Sequence, residues 1–129
     1  MAAASLKIII VEHNAARNNG LGETLRRRIS PQASLTSSAD IAAALETARR
    51  GDADLVLVDG QLAHDSARQL SRQIDAAAVA DSIIVVSSDH NFEMPLELAK
   101  LGVAGPLSPY DLNGVPMLKR ILAQRHCAA

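Results

Sequence analysis

Cysteine is nearly absent from this 129-residue chain: Cys127, close to the end, is the single one. One thiol cannot form a disulfide or a multi-thiolate metal site within the chain. It fits a reducing, cytoplasmic setting. Aromatic residues are as scarce, with one Phe, one Tyr and no Trp. Base-stacking platforms, which need several exposed rings, are thereby excluded. A field of one sign is missing too. Thirteen basic residues face 14 acidic ones, for a net charge of −1, so nothing draws nucleic acid or an anionic membrane. The run Arg26-Arg27-Arg28 falls inside a helical pattern and reads as a solvated helix face. Strongly apolar runs such as Ile8–Val11 are far short of the roughly 20 residues that span a bilayer. Met1 to Ala4 lacks the charged-then-apolar order of a secretory leader.

What is present is aliphatic. Hydrophobic residues make up 48% of the chain, which is globular rather than disordered composition. The length suits a single domain over residues 1–129. Four apolar runs read as buried strands: Leu6–Val11, Leu55–Val58, Ile83–Val86 and a weaker one at Val103–Leu107. Leu35-Thr36 and neighbours make a fifth, short candidate. Such runs are apolar on both faces, as strands of a covered parallel sheet must be.

Five amphipathic stripes alternate with them. They run through Leu21, Leu25 and Ile29; Ile41, Leu45 and Ala48; Ala63, Ala67, Leu70 and Ile74; Met94, Leu98 and Leu101; and Val115, Leu118 and Leu122. Ser38 is the expected N-cap of the second helix. Alternation of this kind predicts a doubly wound α/β fold, a five-stranded parallel sheet with five helices. Ligands then sit at the carboxyl ends of the strands.

The residues at those ends are therefore the candidates. Glu12, His13 and Asn14 follow the first strand, and Asp59 closes the third. Ser87, Ser88, Asp89 and His90 follow the fourth, and Ser108, Pro109 and Tyr110 the fifth. Asp59 stands out, because a charge directly follows four buried aliphatics. It either caps the next helix or accepts a phosphoryl group as an activated carboxylate. Glu12, Asp59 and Asp89 could converge, and gathered carboxylates recruit a cation.

Asp54-Leu55-Val56-Leu57-Val58-Asp59 resembles the strand that carries the phosphoacceptor of response-regulator receiver domains. Lys7-Ile8-Ile9-Ile10-Val11-Glu12-His13 resembles their first strand and acidic pair. Ile83-Ile84-Val85-Val86-Ser87-Ser88 is similar to their fourth strand with its switch hydroxyl, and Ala99-Lys100-Leu101-Gly102-Val103 to the step before their fifth. The likeness runs from about residue 5 to 125. It implies the flavodoxin-like strand order 2-1-3-4-5, with Asp59 as phosphoacceptor and Ser87 as switch hydroxyl. It implies Mg²⁺ held by Glu12 and Asp59. The implied partners are a histidine kinase or phosphotransfer protein, and an output domain, fused or separate.

Departures from the family bear on activity. His13 replaces the second acid, and imidazole suits Mg²⁺ poorly. The family lysine near the fifth strand gives way to Ser108 or Pro109, so its point charge on the phosphoryl group is lost. The family's fifth-strand aromatic is missing as well, which leaves Tyr110 and Phe92 as the rings able to gate or switch. Losing such charges costs a factor of about a hundred or more in phosphoryl transfer. The expectation is a pseudo-receiver with weak or absent Mg²⁺, whose only catalysis is slow phosphoryl acceptance by Asp59. Three rival readings follow. One is a docking or homodimerisation module independent of phosphorylation. Another is a transition-metal site built from His13, His90, Glu12 and Asp59. The third, a flavin or nucleotide binder, fails because the loop after the first strand lacks glycine and leads with an acid.

Overall fold

The computed structural model describes residues 6–11, 33–87, 89 and 91–107. Five strands form one parallel sheet: β1 (Leu6–Val11), β2 (Ala33–Ser38), β3 (Leu55–Asp59), β4 (Ile83–Val86) and β5 (Ala104–Leu107). Their spatial order is β2-β1-β3-β4-β5, the flavodoxin-like order expected. β3 is central. Leu55, Leu57, Ile8, Ile10, Ile84 and Val86 are buried on one face of the sheet; Val56, Val58, Val11, Ile83 and Val85 are buried on the other. Double-sided burial is why these segments are unbroken aliphatic runs rather than alternating ones.

Four α-helices occur among the described residues: α1 (Ile41–Arg49), α2 (Gly60–Asp65), α3 (Ala67–Ala77) and α4 (Leu96–Lys100). The expected count of five is thus not met among the described residues. The stripes at 21–29 and 115–122 lie outside them. The third stripe does not form one helix but is split at Ser66, whose backbone (φ −125°, ψ 29°) leaves the helical region. The fourth stripe is also shorter than expected. Met94 precedes α4, because Pro95 is extended (ψ 138°) and sets its N-terminal boundary. Leu45, Leu70, Ile74 and Leu98 carry the helices onto the Val56/Val58 face of the sheet.

The cap of α1 is a further correction. Asp40, not Ser38, caps it: the Asp40 carboxylate accepts from the Ala43 N–H at 3.2 Å. The Ser38 hydroxyl instead accepts from the Asp40 N–H at 3.1 Å, holding the cap residue in place.

The two ends of β3 are built differently. At its entry, Asp54 and Lys7 exchange two bonds. The Lys7 N–H donates to the Asp54 carboxylate at 2.8 Å, and the Asp54 N–H donates to the Lys7 carbonyl at 2.7 Å. This clamp sets the register in which Ile8 pairs with Leu55 and Val11 with Val58. The outer strand is less regular. Between Ile84 and Val86, β4 advances two residues while β5 advances three, from Ala104 to Leu107. The bulge holds the cis Gly105–Pro106 peptide. Gly105 has φ +118°, and a Cβ there would stand 2.5 Å from the Val85 carbonyl oxygen. Only glycine permits that turn and that approach.

Candidate functional site

Asp59 is the last residue of β3 and the residue immediately before α2. It is 7% exposed, the one buried charged or polar side chain among the described residues. Its backbone is extended (φ −60°, ψ 135°), and its side chain makes no hydrogen bond to cap α2. The helix-capping role weighed from the sequence is therefore not the one it plays. A carboxylate at this depth loses much of its hydration, so its charge is sustained only by polar company.

Gly60 follows, buried, and explains how tightly this end is assembled. A Cβ at Gly60 would lie 2.9 Å from the Ser87 Cβ, 3.1 Å from the Ser87 Oγ and 3.1 Å from Cε1 of Phe92. The first turn of α2 is thus pressed against the exit of β4, which brings Ser87 alongside the residue next to Asp59. In the sheet itself Asp59 pairs with Val86, the residue before Ser87. Lack of a side chain at position 60 is what permits this closeness, and its signal in the sequence is a glycine directly after the acid.

The segment after β4 is ordered by its own side chains. The Ser87 N–H continues the ladder to the Leu107 carbonyl at 2.9 Å. The Ser87 Oγ accepts from the Asp89 N–H at 3.1 Å, and the Asp89 carboxylate accepts from the Asn91 N–H at 2.9 Å. The Phe92 N–H then donates to the Asp89 carbonyl at 3.1 Å. Ser and Asp side chains commonly fold short loops this way. The consequence is positional: Phe92 is delivered onto Gly60. By sequence pattern Phe92 falls in a loop, away from any core stripe. It is indeed in that loop, but it is half-buried and packs against the hydrophobic core.

Asp59, Ser87, Asp89 and Phe92 line a groove of about 920 Å³ between α2 and the segment leading into α4. Its other walls include His64, Glu93, Met94, Leu96 and Glu97. Four carboxylates line it, and among the described residues no Lys or Arg does. The His64 side chain is 72% exposed and lies 3.4 Å from the Asp65 carboxylate. Of the three carboxylates expected to converge, Asp59 and Asp89 do share the groove; Glu12 lies outside the described residues, as do His13, Ser88, His90, Ser108, Pro109 and Tyr110. Among the described residues no three His, Cys, Asp or Glu side chains are grouped to hold a metal ion. The described part of the site offers a cation the buried Asp59 carboxylate, with Asp89 lining the same groove; Mg²⁺ is commonly held by one or two carboxylates, with water completing its octahedron.

No family model matches the chain, and no curated protein matches it. Solved structures do. A protein of Burkholderia pseudomallei K96243, named "putative pilus assembly-related protein", is 20% identical, with a TM-score of 0.59. The match covers 92% of this chain and 90% of that one. At this identity the likeness is one of fold, and it agrees with the flavodoxin-like sheet described above. Among the described residues no helix is long and apolar enough to cross a membrane.

Proposed function

We propose that this chain is a receiver-like domain of a two-component or phosphorelay system, working as a pseudo-receiver. In this reading it transmits its signal mainly through contact, and phosphoryl transfer to Asp59 is slow or absent. The observation that carries the proposal is the position of Asp59: buried at the end of the central strand, beside Ser87 across Gly60, in a groove with no Lys or Arg among its described lining residues. Acceptor and hydroxyl are kept, and the charges among the described lining residues are acidic.

In the transfer itself, an Asp59 carboxylate oxygen forms the new P–O bond. The donor's bond to phosphorus breaks, and the leaving group departs with its electron pair. The transition state spreads negative charge over the phosphoryl oxygens, so catalysis rests on nearby cations. Glu12 and Asp59 would hold Mg²⁺ weakly, since His13 offers nitrogen where the ion prefers oxygen. Ser87 would hydrogen-bond a phosphoryl oxygen, an interaction worth about 1 kcal/mol net. Partners would be a histidine kinase or phosphotransfer protein and an output element, in the cytoplasm.

The test is to incubate the protein with a small phosphodonor and Mg²⁺ and weigh it intact, with Asp59→Ala alongside. The expected result is a fractional gain of one phosphoryl group that needs Asp59, or no gain. A fast stoichiometric gain that needs Asp59 would overturn the pseudo-receiver reading. A gain that survives Asp59→Ala would overturn the assignment of the acceptor.

A further inference from the structure

We infer that the outer face of α3 is a docking surface for an acidic segment of a partner protein, one that carries two carboxylates a helical turn apart. The inference uses no property of Asp59, so it goes beyond the proposed function and can fail without it.

α3 is an 11-residue helix that buries Leu70 and Ile74 against the core. Arg68, Gln69 and Arg72 are exposed, and Gln73 is half-buried. One helical turn, about 6 Å of axis, separates Arg68 from Arg72 on the side of the helix away from Leu70 and Ile74. Gln69 and Gln73 repeat at the same interval. The four side chains line one depression of about 410 Å³.

The two arginines keep their charge for something outside the helix, as a comparison with α1 shows. There Arg49 turns back on Glu46, three residues earlier, and donates to both carboxylate oxygens. Arg68 has an acid at the same interval, Asp65, but both Asp65 oxygens accept from the Gln61 amide at 3.0 Å. Asp75 follows Arg72 by three residues, an order that suits a helical ion pair less well, and it lies outside the depression. Among the described residues no ion pair holds Arg68 or Arg72. Like charges a turn apart on a helix repel each other, and carboxylates brought by a partner would relieve that repulsion.

The side-chain types match such an occupant. Both cations are arginines, whose planar fork takes a carboxylate by two bonds and which interfaces favour over lysine. The Gln69 and Gln73 amides add N–H donors beside them. An acidic helix laid along α3 repeats its own side chains at the same interval of about 6 Å, so one carboxylate meets each guanidinium. A long polyanion would meet a chain of net charge −1, whereas a short acidic segment touches α3 alone.

The test is a nitrogen-15 NMR titration of the full chain with a synthetic alanine-rich helical peptide bearing glutamates one turn apart. The same peptide with glutamines, and inorganic phosphate, are titrated in parallel. The glutamate peptide should shift the amides of residues 68–73 and the Arg68 and Arg72 Nε–H signals saturably, and should bind more weakly as salt rises. Arg68→Glu with Arg72→Glu should abolish the shifts with unchanged circular dichroism. Arg68→Lys with Arg72→Lys keeps the charge and removes the fork, so binding should weaken about tenfold. No saturable binding, shifts centred elsewhere, or equal binding of the glutamine peptide would overturn the inference. Phosphate binding as tightly at residues 68–73 would overturn the protein partner in favour of a small anion. Phosphoryl mass gain is read separately, so failure of one reading leaves the other standing.

Discussion

Two aspartates bracket the same five-residue strand and meet opposite fates. Asp54, at the entry of β3, is exposed and accepts the Lys7 N–H at 2.8 Å, so its carboxylate fastens two strands together. Asp59, at the exit, is 7% exposed and does not cap the helix it precedes. The first carboxylate serves the fold, at an end where water still helps to solvate it. The second is held at an end where a glycine lets a helix close in on the neighbouring strand. Burying a charge away from water costs free energy that hydrogen bonds or an opposite charge must offset. The difference teaches where to look for chemistry: at the buried acid that lines a groove beside a hydroxyl, not at the exposed one that ties two strands together.

The comparison breaks hardest at Gly60. Gly60→Val places branched carbon where Ser87 and Phe92 already stand, and overpacking of this kind costs about 1–3 kcal/mol or more. Chemical denaturation should show a large fall in midpoint, and near-normal stability would mean that the exit is looser than described. Asp54→Ala comes next. Loss of the acceptor for Lys7 should cost on the order of 1 kcal/mol, lowering Tm by roughly 3–5 °C. An unchanged Tm would remove the contrast between the two acids.

Asp59→Asn should separate function from fold. It keeps the shape of a side chain that does not cap α2, so stability should change by about 1 kcal/mol at most, while phosphoryl acceptance disappears. A clear fall in Tm would make Asp59 a structural residue like Asp54. The smallest effect is expected at Glu46 on α1. Its hydrogen bond from Arg49, aided by the charges of Arg49 and Arg50, lowers its pKa below the ordinary 4.5. The folded state therefore gains a contribution present above pH 4.5 and lost as pH falls through the lowered value. The pair is solvent-exposed, where such contributions are slight. Glu46→Gln should flatten the acid limb of the stability curve only marginally, and a marked change would contradict that ranking.

Much of the fold was legible because its strands are aliphatic on both faces. Leu6–Val11 and Ile83–Val86 have the bounds that their apolar runs predict, and Asp59 closes β3 as the break from Val58 to a charge implies. Periodicity was less informative where local backbone intervenes. The stripe from Ala63 to Ile74 runs unbroken in sequence, yet Ser66 divides it. Pro95 likewise cuts the Met94 stripe short. Ser38 and Asp40 are both good caps by type, and which one takes the Ala43 N–H depends on the turn that joins them. At the site, Asp59 and Ser87 could be picked from their place after strands. Phe92 could not be placed on Gly60 in advance, because the Ser87–Asp89–Asn91 turns that carry it there are relations between side chains and backbone.

Under the proposed function, the exit of β3 keeps Asp59 as acceptor without the second acid and the lysine of the receivers it resembles. The most direct measurement restores them. His13→Asp returns the second acid, Ser108→Lys returns the cation while keeping Pro109, and intact mass is followed over time with a small phosphodonor and Mg²⁺. The rate of phosphoryl gain should rise about a hundredfold, and adding Asp59→Ala should abolish it. A rate unchanged by the restored charges, or a parent chain already reacting as fast, would contradict it.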